Sequence, residues 1–190
     1  MVRARSRCSF GTIVFLLAVS ACKKDGASRE EMAKALQGIQ PGEERTAGGV
    51  RLKMFRIQAT SPLGDGWNLA QSTEGGFSVE IPIAFNDFRQ IGKADDGVDF
   101  RADSIGGKTP GMLAWSASCT SRRDGKPGAH RPMPEGIQAT AKAATRSVEW
   151  DDHRSCVLVV EAQGTDPLPP EADSTRFLRS IKRTGAPVWR

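Results

Sequence analysis

Residues 102 to 109 read Ala102-Asp103-Ser104-Ile105-Gly106-Gly107-Lys108-Thr109. They supply the residue types of a phosphate cradle, with alanine where the first glycine of the pattern belongs. Such a cradle needs backbone amides aimed at the phosphate and a helix that opens directly after the lysine. Here Pro110-Gly111 follows, and then a strand pattern, so the helix has no place to begin. The stretch is expected to be a Gly-rich hairpin turn with no nucleotide bound, and Lys108 to be dispensable. Cys119, Cys156, His130 and His153 are the residue types of a Cys2His2 metal site. His153 and Cys156 stand at i, i+3, but Cys119 and His130 do not repeat a knuckle spacing. No Gly-x-Ser-x-Gly elbow is present, and both histidines lie in polar stretches. Asp151 and Asp152 are adjacent, so on a strand they point apart and in a turn they form a solvated pair. Arg122, Arg123, Lys126 and Arg131 make a basic loop able to meet anionic lipid or glycan, or simply to be solvated. No catalytic, cofactor-binding or metal-binding residue is predicted.

The remaining reactive group is Cys22. Arg3, Arg5 and Arg7 give a positive start, and Phe10 to Val19 is apolar apart from Gly11 and Thr12. That run is shorter than the roughly 20 residues that cross a bilayer and fits the apolar region of a secretory signal. Val19-Ser20-Ala21-Cys22 then resembles the lipobox of bacterial lipoprotein precursors: an aliphatic residue, two small residues and a cysteine. The resemblance implies a signal peptide over residues 1–21, cleavage before Cys22, and acylation of its thiol. Each buried methylene of such an anchor contributes about 0.8 kcal/mol, and several chains together hold permanently. Lys23, where lipoproteins of enteric bacteria carry Asp for the inner membrane, implies the outer membrane.

Export changes how the other cysteines read. If Cys8 leaves with the signal and Cys22 carries lipid, Cys119 and Cys156 remain as an even pair in an oxidising compartment, whereas ordinary cleavage with Cys22 as a free thiol leaves an odd count. Leu113, Trp115 and Ala117 share a strand face with Cys119, as Leu158, Val160 and Ala162 do with Cys156. An antiparallel register that opposes the cysteines also sets Ala117 on Leu158 and Trp115 on Val160. Opposed residues at a non-hydrogen-bonded position lie about 4.5 Å apart at Cα, so a disulfide is expected. The chain carries +5 overall, and removing Arg3, Arg5 and Arg7 leaves +2, too balanced for a nucleic-acid partner. The membrane, through Cys22, is the expected partner, with an envelope protein as a further one. Roughly 170 mature residues are one domain's worth.

These groups must be positioned by short elements. Ser28-Arg29-Glu30-Glu31 is a capping-box pattern before a helix over about Arg29 to Gln37, with Gly38 as its stop and Ile39 packing back. Gly42 to Gly49 reads as loop. Period-two alternation marks strands at Val50 to Met54, Trp67 to Leu69, Phe77 to Ile81, Val98 to Asp103 and Met112 to Thr120. In the fourth of these, Val98, Phe100 and Ala102 are the expected buried side, opposite Asp99, Arg101 and Asp103. Ile137, Ala141 and Ala144 fall at helical spacing, so a helix is expected over Gly136 to Arg146. Val148 and Trp150 start a strand. Cys156 to Val160 is continuously apolar, the mark of a central strand. Phe177, Leu178 and Ile181 give a last helix its buried side.

The sum predicts one α+β domain, an antiparallel sheet of short strands with two or three packed helices. Its expected parts are a lipidated tether and short helix over 22–48, the domain over 49–183 and a tail over 184–190. Gly75-Gly76-Phe77-Ser78-Val79-Glu80-Ile81-Pro82 and the terminal Thr175-to-Arg183 stretch, TRFLRSIKR, resemble PsbP-like α/β/α sandwich domains over about Arg51 to Lys182. That resemblance implies a fold and assigns chemistry to no residue. The expected role is a non-enzymatic binding or accessory module of the cell envelope; the alternative is a hydrolase-type enzyme facing the periplasm.

Overall fold

The computed structural model describes residues 29–94, 96–126, 136–150 and 153–187. Along these residues run α1 (Arg29–Leu36), β1 (Glu44–Ala47), β2 (Val50–Ala59), β3 (Asn68–Gln71), β4 (Phe77–Ile81), β5 (Phe85–Lys93) and β6 (Asp99–Lys108). They continue with β7 (Leu113–Arg122), β8 (Ile137–Ala139), β9 (Ala143–Glu149), β10 (Ser155–Ala162), α2 (Glu171–Arg179) and β11 (Lys182–Arg183). Eight strands form one sheet in the order β1-β2-β5-β6-β7-β10-β9-β8, and β11-β4-β3 form a second. Every pairing is antiparallel.

The expected α+β fold is therefore corrected. The chain is mainly antiparallel β, with only two short helices among the described residues. The largest single reason lies at residues 136 to 146, where β8 and β9 replace the expected helix. The Thr140 hydroxyl accepts the amides of Lys142 and Ala143, which turns the chain back on itself. In the extended form Ala144 and Val148 face Val160 and Cys156 of β10. The apolar residues thus satisfy a period of two as well as one of 3.6, and the neighbouring strand decides between them. Trp150, expected to lie within a strand, follows the end of β9.

Three further expectations shift. The segment expected to be loop at 42–49 contains β1, which pairs with β2. Residues 102 to 108 run inside β6, and the turn comes later, where the Met112 amide bonds to the Thr109 carbonyl. In β6 the charged side is as buried as the apolar one: Arg101 is 0% exposed and Asp103 2%. Strand β5 has no counterpart among the expected elements. The short N-terminal helix does form as α1; Gly38 follows with φ +68°, and Ile39 is buried.

The large sheet is covered differently on its two faces. One face carries Ile105, Leu113, Trp115, Ala117, Leu158 and Val160, and packs against Phe77, Val79 and Ile81 of β4 and Phe177 and Leu178 of α2. We call this the covered face. Trp115 meets Phe177 edge-on at 5.3 Å and Trp67 at 6.1 Å. The opposite face has its own smaller core, where Leu36 and Ile39 pack on Val50, Leu52, Met54 and Phe88 of β2 and β5. Among the described residues, neither helix packs on that opposite face over β7, β10 and β9.

Candidate functional site

Two groups of polar residues stand on the sheet, one on each face. The first lies on the covered face beneath the β3–β4 turn. Alternation along β5 and β6 sends Asp87, Arg89, Arg101 and Asp103 to the same side, with Arg89 directly opposite Asp103. Asp87 accepts from the Thr73 amide at 2.8 Å, the Thr73 hydroxyl at 2.5 Å and Arg56 at 2.9 Å. Arg101 grips Asp103 with two parallel bonds of 2.6 and 2.8 Å and donates to the Glu74 carbonyl at 2.8 Å. Arg89 pairs with the Glu74 carboxylate. Arg154, 1% exposed, donates to the Gly75 carbonyl at 2.6 Å and the Gly185 carbonyl at 2.8 Å, and lies 4.5 Å over the Trp150 ring.

Gly75 is required at the centre of this group. A Cβ there would press on the Asp103 Cβ and the Ser72 hydroxyl, each 2.6 Å away. Burial pushes the Asp103 carboxyl above its ordinary range, against the opposing pull of its two bonds from Arg101. The chemistry these bonds perform is anchoring. Asp87, Glu74 and Asp103 are each bonded to arginine, and together they fasten residues 72 to 76 to the sheet. A sequence signal for this group exists in the pairing of Arg101 with Asp103 at i, i+2, which places both on one side of a strand.

The second group lies on the opposite face of the sheet's centre, and is rich in small hydroxyl side chains. By register, Ser104 of β6, Ser116, Ser118 and Thr120 of β7, Thr145 and Ser147 of β9, and Ser155 of β10 all point this way. Ser104 donates to Ser118 at 2.9 Å. The Ser147 hydroxyl is buried and without a hydrogen-bond partner. Val157 and Val159 of β10 and Ala114 of β7 stand among the hydroxyls. At one end Arg122 is held by Asp96 at 2.5 Å and Asp124 at 3.1 Å; at the other, Lys108 donates to Gln163 at 2.7 Å.

The sequence-predicted residues are distributed as follows. Cys119 and Cys156 are opposed and joined, with Cα atoms 4.0 Å apart, and the flanking register is Ala117 on Leu158 and Trp115 on Val160. Both cysteines lie in the covered core, which leaves neither as a metal ligand. His153 lies exposed in the β9–β10 turn with φ +59°, its amide bonded to the Trp150 carbonyl. Arg123 pairs with Asp99 at 3.2 Å, and the Lys126 amide bonds to Asp124, so the described part of the basic loop is tied to acidic neighbours. Cys22, His130, Arg131, Asp151 and Asp152 lie outside the described residues. Among the described residues no cluster of metal-ligating side chains occurs, and no helix is long and apolar enough to cross a membrane.

No family model matches the chain, and neither a curated protein nor a solved structure does.

Proposed function

We propose that this protein is an exported lipoprotein of the bacterial cell envelope, held by an acylated Cys22, whose single β-rich domain serves as a non-enzymatic binding or accessory module. The observation that carries the reading is how the cysteines are used. With Cys119 bonded to Cys156, only Cys8 and Cys22 remain of the four. Cys8 falls within the basic and apolar leader, and Cys22 stands alone where that leader gives way to Lys23-Lys24-Asp25. A buried cross-link in the core suits an oxidising compartment. The charged groups on the covered face support a binding role over a hydrolytic one, because their bonds are committed to fastening the β3–β4 turn. Lys23 favours the outer membrane over the inner.

The test is acylation itself. Cells expressing the parent should incorporate labelled fatty acid into this chain and carry it in the membrane fraction. Cys22→Ser should abolish the label and release the protein. A variant as membrane-bound as an unlabelled parent would refute the lipid anchor.

A further inference from the structure

The hydroxyl-rich face of β6, β7, β10 and β9 takes no part in the covered core, and its composition selects a ligand class. We propose that this face is a binding surface for a neutral, polyhydroxylated chain, a glycan. The inference deepens the binding-module reading and depends on it for the idea that the domain has a ligand to hold.

Neighbouring strands lie about 4.8 Å apart, and side chains two residues apart on a strand about 6.7 Å, so the hydroxyls form a regular two-dimensional array. Each hydroxyl offers one donor and two acceptor sites. Ser104 and Ser118 bond to each other, but Ser116, Thr120 and Thr145 make no side-chain hydrogen bond to another described residue. The Ser147 hydroxyl is buried with no partner at all. A buried hydroxyl left unpaired costs roughly 1–3 kcal/mol, and the half-buried hydroxyls of Ser118, Thr120 and Thr145 around it are the ones within a ligand's reach.

Other ligand classes fit less well. An acyl chain would need broad apolar area, and the centre of the face offers only Val157, Val159 and small alanines between the hydroxyls, with Phe100 of β6 at its margin beside Arg122. An anion or cation would need uncommitted charge. Arg122 is held by Asp96 and Asp124, Lys108 by Gln163, and Glu149 accepts from Ser155. Only Arg122 is thereby neutralised; Lys108 and Glu149 bond neutral groups and stay charged at the margin, while the centre of the face holds no charged side chain. A chain of sugar hydroxyls and amides complements such a surface in both charge and hydrogen-bonding capacity. Ser116 at 6% and Ser104 at 7% exposure form the floor, while Ser118, Thr120, Thr145 and Ser147 are half-buried around it.

The experiment is a titration of the isotope-labelled full chain carrying Cys22→Ser, read by amide chemical shifts. The probes are chitotetraose and maltotetraose, with a Gly-Ser decapeptide and heparin as comparison ligands, each raised to millimolar concentration. Shifts concentrated on residues 116 to 120 and 145 to 147 with either tetrasaccharide are expected. Thr120→Val should weaken that binding at least tenfold, and the milder Ser147→Ala by several-fold, with both variants melting as the parent does. Silence from both tetrasaccharides, shifts located elsewhere, shifts on this face with the peptide or heparin alone, or unchanged affinity in the folded variants would each overturn the proposal. Loss of lipidation in the fractionation test would leave this titration unaffected, so the two ideas fail separately.

Discussion

From Leu113 to Arg122, strand β7 sends Leu113, Trp115, Ala117 and Cys119 one way and Ala114, Ser116, Ser118 and Thr120 the other. The first set meets two aromatic rings, a disulfide partner and the side chains of β4 and α2. The second meets other hydroxyls and small residues. One backbone serves both faces, so the difference lies in what each face must exclude. The covered face excludes water, and its stability comes from apolar area and from ion pairs such as Arg101 with Asp103 and Arg89 with Glu74. The hydroxyl face gives up that area and keeps hydrogen-bonding capacity. Substitutions should therefore be costly on one side of β7 and cheap for folding on the other.

The largest effect expected is loss of the cross-link. Cys119 and Cys156 are 37 positions apart, a loop whose closure is worth about 4 kcal/mol in the chain-entropy model. The double variant Cys119→Ala, Cys156→Ala should unfold roughly 10 °C below the oxidised parent, and reduction of the parent should give a similar fall. Calorimetry of the two forms measures this directly. A difference within about 1 °C would mean that the covered face gains nothing from its staple and that the contrast between the faces is overstated.

A somewhat smaller effect is expected at the buried ion pair. Asp103→Leu leaves Arg101 charged, 0% exposed and short of its two-pronged partner, which should cost about 3 kcal/mol. Pairing it with Arg101→Met should recover most of that loss, because an apolar pair needs no hydrogen bonds. Ser118→Ala, directly across β7 on the other face, should stay within about 0.5 kcal/mol of the parent. Denaturant midpoints for the four proteins form the comparison. Equal losses at positions 103 and 118 would erase the distinction between the faces.

These two regions were unequally legible in the sequence. The disulfide register could be read because β7 and β10 each alternate cleanly over several residues, and one alignment stacks both apolar sides. The ion-pair group could not, because burial was inferred from apolarity. In β5 the residues Phe85-Asn86-Asp87-Phe88-Arg89-Gln90 are all buried, yet four of the six are polar or charged. Such a strand has no period of two to detect, since its polar side chains are satisfied by partners remote in sequence. Thr73 reaches Asp87 across 14 positions, and Arg154 reaches Gly75 across 79. For β6 the alternation was correct and its meaning was not, because a turn from another part of the chain roofs the charged side. At 136 to 146 the alanines fitted two periods, and only the presence of β10 selects the strand. The hydroxyl face was only partly visible: β7 alternates Ser116, Ser118 and Thr120, but the remaining members come from three other strands that only the sheet order brings beside it.

The smallest effect separates the faces by the sign of their response to acid. Asp103, on the covered face, has its pKa raised, by burial first, against the opposing bonds from Arg101 and the charges of Arg101 and Arg89, with Asp87 adding to the rise. A carboxyl with a raised folded pKa favours the folded state most fully below its ordinary value of 3.8, and that contribution disappears as pH rises through the folded value. Asp96 and Asp124, at the margin of the hydroxyl face, have lowered pKa values, in both cases chiefly through bonds from Arg122. Their contribution is present above 3.8 and disappears as pH falls through their folded values. Glu43, Asp65 and Asp99 also have lowered pKa values, so global melting should fall as pH drops, with Asp103 opposing that fall. Side-chain carboxyl shifts resolve them individually. Asp103 should titrate above an unperturbed aspartate, and Asp96 and Asp124 below it. Asp103→Asn should leave a protein whose stability only falls as pH drops, and Arg122→Gln should return both marginal aspartates toward 3.8. Were Asp103 to titrate below its ordinary value alongside Asp96, its bonds from Arg101 would outweigh its burial. The two faces would then respond to acid alike.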